Sequence, residues 1–103
     1  VAVIEAQHVG GGVSGYNSGH LTSMLLDMGY STILKNFDQG QTRLAAESQV
    51  AAIDLIEQLV DQHQINCDFQ RVKGYLFAET SNQIEALEKE FKATEEAGID
   101  CHM

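Results

Sequence analysis

Five of the ten residues from Gly10 to Gly19 are glycine, and a stretch that poor in side chains cannot sustain a regular helix or strand against its own backbone entropy. It reads as a loop, one whose bare amides can come close to something bulky and anionic. Ahead of it the apolar run Val1-Ala2-Val3-Ile4 is closed by Glu5. A β-branched run ended by one acid is the pattern of a buried parallel strand that turns a carboxylate toward a ligand, as where such an acid accepts ribose hydroxyl protons. Glu5 is therefore the sharpest candidate; the bland alternative is an acid that ends a strand near water. Ser14, Gly15, Asn17 and Gly19 taken singly make ordinary turns, but in this order behind Glu5 they form a candidate binding loop.

The charge balance excludes several partners. Fifteen acids against six bases give a formal charge of -9, which repels phosphate backbones and anionic lipid faces, so neither nucleic acid nor a membrane surface is expected as a partner. No apolar stretch reaches the roughly 18 residues of a membrane span, and no basic leader with a cleavage site is seen. These features set the expectation of a soluble, cytoplasmic protein. Cys67 and Cys101 fit no metal or redox spacing and are expected as thiols. The histidines at 8, 20, 63 and 102 are too scattered for a metal cluster. Gly12-Val13-Ser14-Gly15 misses the G-x-S-x-G spacing of a nucleophilic serine, which disfavours a hydrolase.

Farther along, residues 22–37 carry an apolar cluster at Met24, Leu25, Leu26 and Met28, interrupted by Gly29, without a period that assigns a structure. Asp38 has the chemistry of a helix N-cap. Ala45, Ala52, Leu55, Ile56, Leu59 and Val60 then recur at helical spacing, predicting a helix over 39–63 with Glu47, Asp54, Glu57 and Asp61 on its solvated side. Residues 65–79 change to strand character, with Phe69, Val72, Tyr75 and Phe77 as apolar positions and Lys73-Gly74 as a bend between two short strands. Thr80 with Gln83 forms a capping-box pattern, and Ile84, Leu87, Phe91 and Thr94 line a helix that Gly98 stops. Ile99 to His102 reads as the start of another strand.

The stretch Glu5 followed by Gly12-Val13-Ser14-Gly15-Tyr16-Asn17-Ser18-Gly19 resembles the second strand and flavin loop of the glycine/D-amino-acid oxidase-like family of FAD-dependent oxidoreductases, where an acid-ended strand precedes G-x-S-G-x-N-x-G. The resemblance implies an α/β fold: part of an FAD-binding Rossmann-like domain over 1–66, then the first strands and helix of an α+β substrate domain over 67–103. It implies FAD as cofactor, held by Glu5, Gly12, Ser14, Gly15, Asn17 and Gly19, with His20 near the flavin. A loop histidine bonded to a carbonyl is the plain alternative for His20. The implied activity is oxidation of an amine or amino acid to an imine, and no catalytic residue is assigned in this stretch. Such a family opens with strand, G-x-G-x-x-G and helix about 20 residues ahead of the acid. No such fingerprint is expected anywhere in this chain, which is therefore expected to be an interior piece that binds FAD weakly by itself.

A second class stays open, a small acidic α/β module that binds a protein partner and uses no cofactor. The two readings differ in colour, since a flavoprotein is yellow. The piece is also expected to self-associate, because unpaired strand edges at 1–4 and 69–77 and uncovered apolar faces invite a second copy. Light scattering across a concentration series should then return a mass above 11.3 kDa; a constant mass at the monomer value would remove the argument.

Overall fold

The computed structural model describes residues 1–24 and 29–103; Leu25, Leu26 and Met28 of the apolar cluster lie outside the described residues. Three helices make up the body: α1 over Gly29–Asn36, α2 over Gln39–Gln62 and α3 over Ile84–Glu96. Single 3-10 turns occupy Gly12–Ser14 and Ser81–Gln83.

Helix α2 forms where the sequence predicts it. The Asp38 carboxylate accepts from the Gln41 amide at 2.8 Å, satisfying one of the donors that a helix start leaves open. At the other end the Ile65 amide reaches back to the Val60 carbonyl at 2.9 Å, and Gln64 takes φ 50° at the position where glycine usually turns a helix off. Helix α3 follows its pattern too. Gln83 Oε1 accepts from the Thr80 amide at 3.1 Å, and Gly98, at φ 85°, ends the helix with its amide on the Glu95 carbonyl and the Ile99 amide on the Thr94 carbonyl.

Helix α1 is held at its start by a residue far away in the sequence. Its N-terminus is closed by Glu90 of α3, whose Oε1 accepts from the Tyr30 amide at 2.5 Å and whose Oε2 accepts from the Ser31 amide at 3.1 Å and the Ser31 hydroxyl at 2.6 Å. A carboxylate across the positive end of a helix gains both hydrogen bonds and favourable dipole interaction. Gly29, at φ 59°, makes room for it, since a Cβ there would lie 2.5 Å from Glu90 Oε2. Beside this junction Tyr30, Ala46, Ala93 and Ala97 form the buried core, with Ile33, Leu34 and Ile99 against it. The alanines let the helices approach, and Thr42, also fully buried, bonds its hydroxyl to the Asp38 carbonyl at 2.9 Å. The Tyr30 hydroxyl donates to the Ser23 carbonyl; burial first, then the Glu90 charge, pushes that phenol's pKa up.

The buried stripe of α2 differs from the expected one. Thr42 and Ala46 are buried, and Ile53, Ile56 and Val60 continue as half-buried positions, whereas Leu55 and Leu59 stay exposed. Ala46 packs in the cluster with Tyr30, Ala93 and Ala97, and farther along Arg71 bonds Asp54 and Glu57, while Leu55 and Leu59 lie off that side. A radius of gyration of 17.0 Å, against about 13 Å for a compact chain of this length, expresses the same open packing.

The expected α/β class is where the structure departs from the sequence reading. Among the described residues there is no strand. Val1–Ile4 is irregular and exposed, as are Val72, Tyr75 and Phe77, and Ile99–His102 has no regular structure. Strand propensity is realised only when a neighbour supplies the ladder and a covered face, and no second strand lies beside either segment here. The segment 68–78 is tied down by charge instead: Arg71 bonds Glu57 at 2.8 Å and Asp54 at 2.5 Å on α2.

Among the described residues the Glu90 junction is a larger single contribution than any one alanine of the core. Each alanine contributes only about 0.8 kcal/mol on burial of a methyl-sized group, while hydrogen bonds to a charged group are worth about 1.5–3 kcal/mol. Glu90→Ala is expected to lower stability by about 2 kcal/mol and Glu90→Gln by less, since the amide keeps one acceptor. Urea unfolding followed by circular dichroism checks the order; equal midpoints for all three chains would show that the cap contributes nothing.

Candidate functional site

The glycine-rich segment folds as a self-contained loop. The Gly11 amide returns to the His8 carbonyl at 2.8 Å, and the Gly15 and Tyr16 amides bond the Gly12 and Val13 carbonyls at 3.1 and 3.2 Å to make the 3-10 turn. Gly15 lies so close to the incoming chain of the loop that a Cβ would fall 2.3 Å from the Gly10 carbonyl oxygen. Gly10, Gly12 and Gly19 all take positive φ, with open space where a Cβ would stand. Bare backbone facing open space is what a closely approaching ligand requires.

Asn17 knits the loop. Its Nδ2 donates to the carbonyls of Val13 at 3.0 Å and Ser14 at 2.9 Å, and its Oδ1 accepts from the Gly19 amide at 2.8 Å. Ser14 itself is exposed at the end of the 3-10 turn. His20 is exposed beyond Gly19, its amide directed to the Ser18 hydroxyl at 3.4 Å. Glu5 sits a few residues before the loop, not at the end of a strand, with Oε1 accepting from the Gln7 amide at 3.0 Å. Gly12, Ser14, Gly15, Asn17 and Gly19 are thus gathered into one turn by their own bonds, while Glu5 and His20 flank it in the open.

Gly10 and Gly11 belong to the loop read from the sequence but were not singled out as site residues. Gly10 and Gly11 are as necessary to the loop as the glycines singled out, because the returning chain at Gly15 packs on Gly10. The signal was present, since Gly10-Gly11-Gly12-Val13-Ser14-Gly15 itself satisfies G-x-G-x-x-G. The spacing is not used as in a dinucleotide fingerprint: it follows the acid instead of preceding it, and opens a three-residue 3-10 turn instead of a long helix.

Elsewhere the surface offers little chemistry. Open depressions of about 290 and 270 Å³ border the end of α3, one lined by Glu95, Gly98, Ile99, Asp100 and Cys101, the other lying between α2 and residues 97–99. Burial, then the nearby Glu95 and Asp100 charges, pushes the Cys101 thiol's pKa up, which disfavours its nucleophilic form. Cys67 and Cys101 are both free. Among the described residues no helix is long and apolar enough to cross a membrane, and no group of three His, Cys, Asp or Glu side chains is placed to share a metal ion.

Residues 1–103 match the family model described as FAD dependent oxidoreductase, DAO, and the chain belongs to that family. The chain is also similar to the Bacillus subtilis (strain 168) protein named "Putative Rieske 2Fe-2S iron-sulfur protein YhfW", with 31% identity over 100 residues, 97% of this chain and 19% of that protein. It therefore spans about a fifth of the length of this relative. No solved structure matches.

The loop geometry predicts a local effect for Gly15→Ala. The new methyl group must displace the Gly10 carbonyl, so the amide resonances of residues 10–19 should shift while the urea midpoint of the helices stays within about 0.5 kcal/mol. A lowered midpoint would mean that the loop braces the helical body.

Proposed function

We propose that the Gly10–His20 loop, with Glu5, is one wall of an FAD site in a larger amine- or amino-acid-oxidising enzyme. The observation that supports this most is the loop itself: positive-φ glycines with open space over their backbone, behind an acid, in a chain that matches the FAD-dependent family along its whole length. The residues present fit such a group, because nothing but backbone stands between the ligand and the loop at Gly10, Gly12 and Gly19.

FAD, when bound, would accept a hydride from the substrate carbon that bears nitrogen. The share of this chain is binding and orientation. Glu5 would exchange its Gln7 amide contact for ribose hydroxyls, which a carboxylate can accept in pairs. Gly12, Ser14, Gly15 and Gly19 would bring backbone close to the cofactor, and His20 would stand beside the ring system. In the same reading Val1–Ile4 and residues 69–77 become strands when neighbouring strands of the complete domain supply their ladders, which is the α/β arrangement expected from the sequence. The substrate, a small amine or amino acid, would be held mainly by other parts of that enzyme.

The test uses the complete flavoprotein. Glu5→Ala should weaken FAD retention by about 1–3 kcal/mol, the scale of lost charge-assisted hydrogen bonds, measured as the dissociation constant after dialysis and flavin titration. Unchanged retention would reduce Glu5 to a strand-ending acid, and a colourless wild-type protein that takes up no flavin would favour a cofactor-free interaction module.

A further inference from the structure

We infer that Asn17 is a positioning residue of the flavin loop and not itself a cofactor contact. The inference rests on the FAD reading and sharpens the part assigned to this side chain. A primary amide has two N–H donors and one acceptor oxygen. Here Nδ2 serves both the Val13 and the Ser14 carbonyls, and Oδ1 serves the Gly19 amide. To donate to a cofactor, Asn17 would have to release a carbonyl that it now holds, and the loop would lose its closure.

Those bonds have a consequence for an anionic ligand. The carbonyl oxygens of Val13 and Ser14 carry partial negative charge, and each is occupied by an Asn17 N–H. Oxygens engaged in this way repel a neighbouring phosphate less than free ones would. The same side chain fixes Gly19 relative to the 3-10 turn, and so sets the separation between the two bare stretches of backbone at Gly10–Gly12 and at Gly19. Pre-organising a loop in its bound shape strengthens binding by removing the entropy of ordering it.

Asn17→Ala and Asn17→Asp separate this role from direct contact. Aspartate keeps an acceptor for the Gly19 amide but loses both donors. In the flavin-free complete protein, amide exchange at Gly19 should therefore stay slow in Asn17→Asp and speed up in Asn17→Ala, while residues 13–16 loosen in both. On loading, both variants should raise the FAD dissociation constant by roughly tenfold or more, with the visible spectrum of the bound flavin unchanged, because no contact to the ring has been removed. Wild-type binding with variants that bind equally well would overturn the role of Asn17 alone. An altered flavin spectrum with undisturbed loop exchange would overturn it in favour of direct contact. A wild-type protein that takes up no FAD would sink the flavin reading, and this inference with it.

Discussion

The carboxylate of Glu90 laid across the start of α1 is the interaction on which the rest of the body depends. It joins residues some sixty positions apart, and it ties the start of a short helix to α3. Tyr30 is buried because this bond brings the first turn of α1 against α3, and the close approach of Ala46, Ala93 and Ala97 follows from where Tyr30 sits. Among the described residues the buried positions are one tyrosine, three alanines and a threonine, with Ile33, Leu34 and Ile99 packed against the cluster, and hydrogen bonds to a charge at the junction add to that burial.

The loop that concerns function is built on the opposite principle. It touches the helical body little and takes its shape from short-range bonds: the Gly11 turn, the 3-10 turn and the three bonds of Asn17. Local closure of this kind leaves the outer backbone at Gly10, Gly12 and Gly19 uncovered. A cofactor-binding wall needs both properties, a fixed shape and an unobstructed face. Under the proposed reading, that face would meet the FAD of the family to which the chain belongs.

What the sequence disclosed and what it hid divide along range of interaction. Helix α2 was legible from Asp38 and its period, and α3 from Gln83 and Gly98, because each boundary is set by a residue within one turn of it. Helix α1 was not legible, since its cap comes from Glu90 and no local pattern announces it. The buried row of α2 was legible in part: Ile56 and Val60 lie on it, whereas Thr42, Ala46 and Ile53 did not stand out and Leu55 and Leu59 stay exposed, because which apolar residues are covered depends on what packs against the helix. The strands were read from composition alone, which records fitness for a pleated face but not the presence of a neighbour. In the loop, Glu5 and the glycines stood out by type, whereas the use of Asn17 as a brace emerged only from the bonds it makes.

The central claim, that the Gly10–His20 loop is a face of an FAD site, is tested most directly by hydrogen–deuterium exchange of the complete flavoprotein with and without FAD. Peptides that span residues 10–20 should exchange more slowly once flavin is bound, while those from the exposed row of α2 around Leu55 and Leu59 should not change. Protection confined to other segments, with residues 10–20 exchanging at the same rate in both states, would contradict the account.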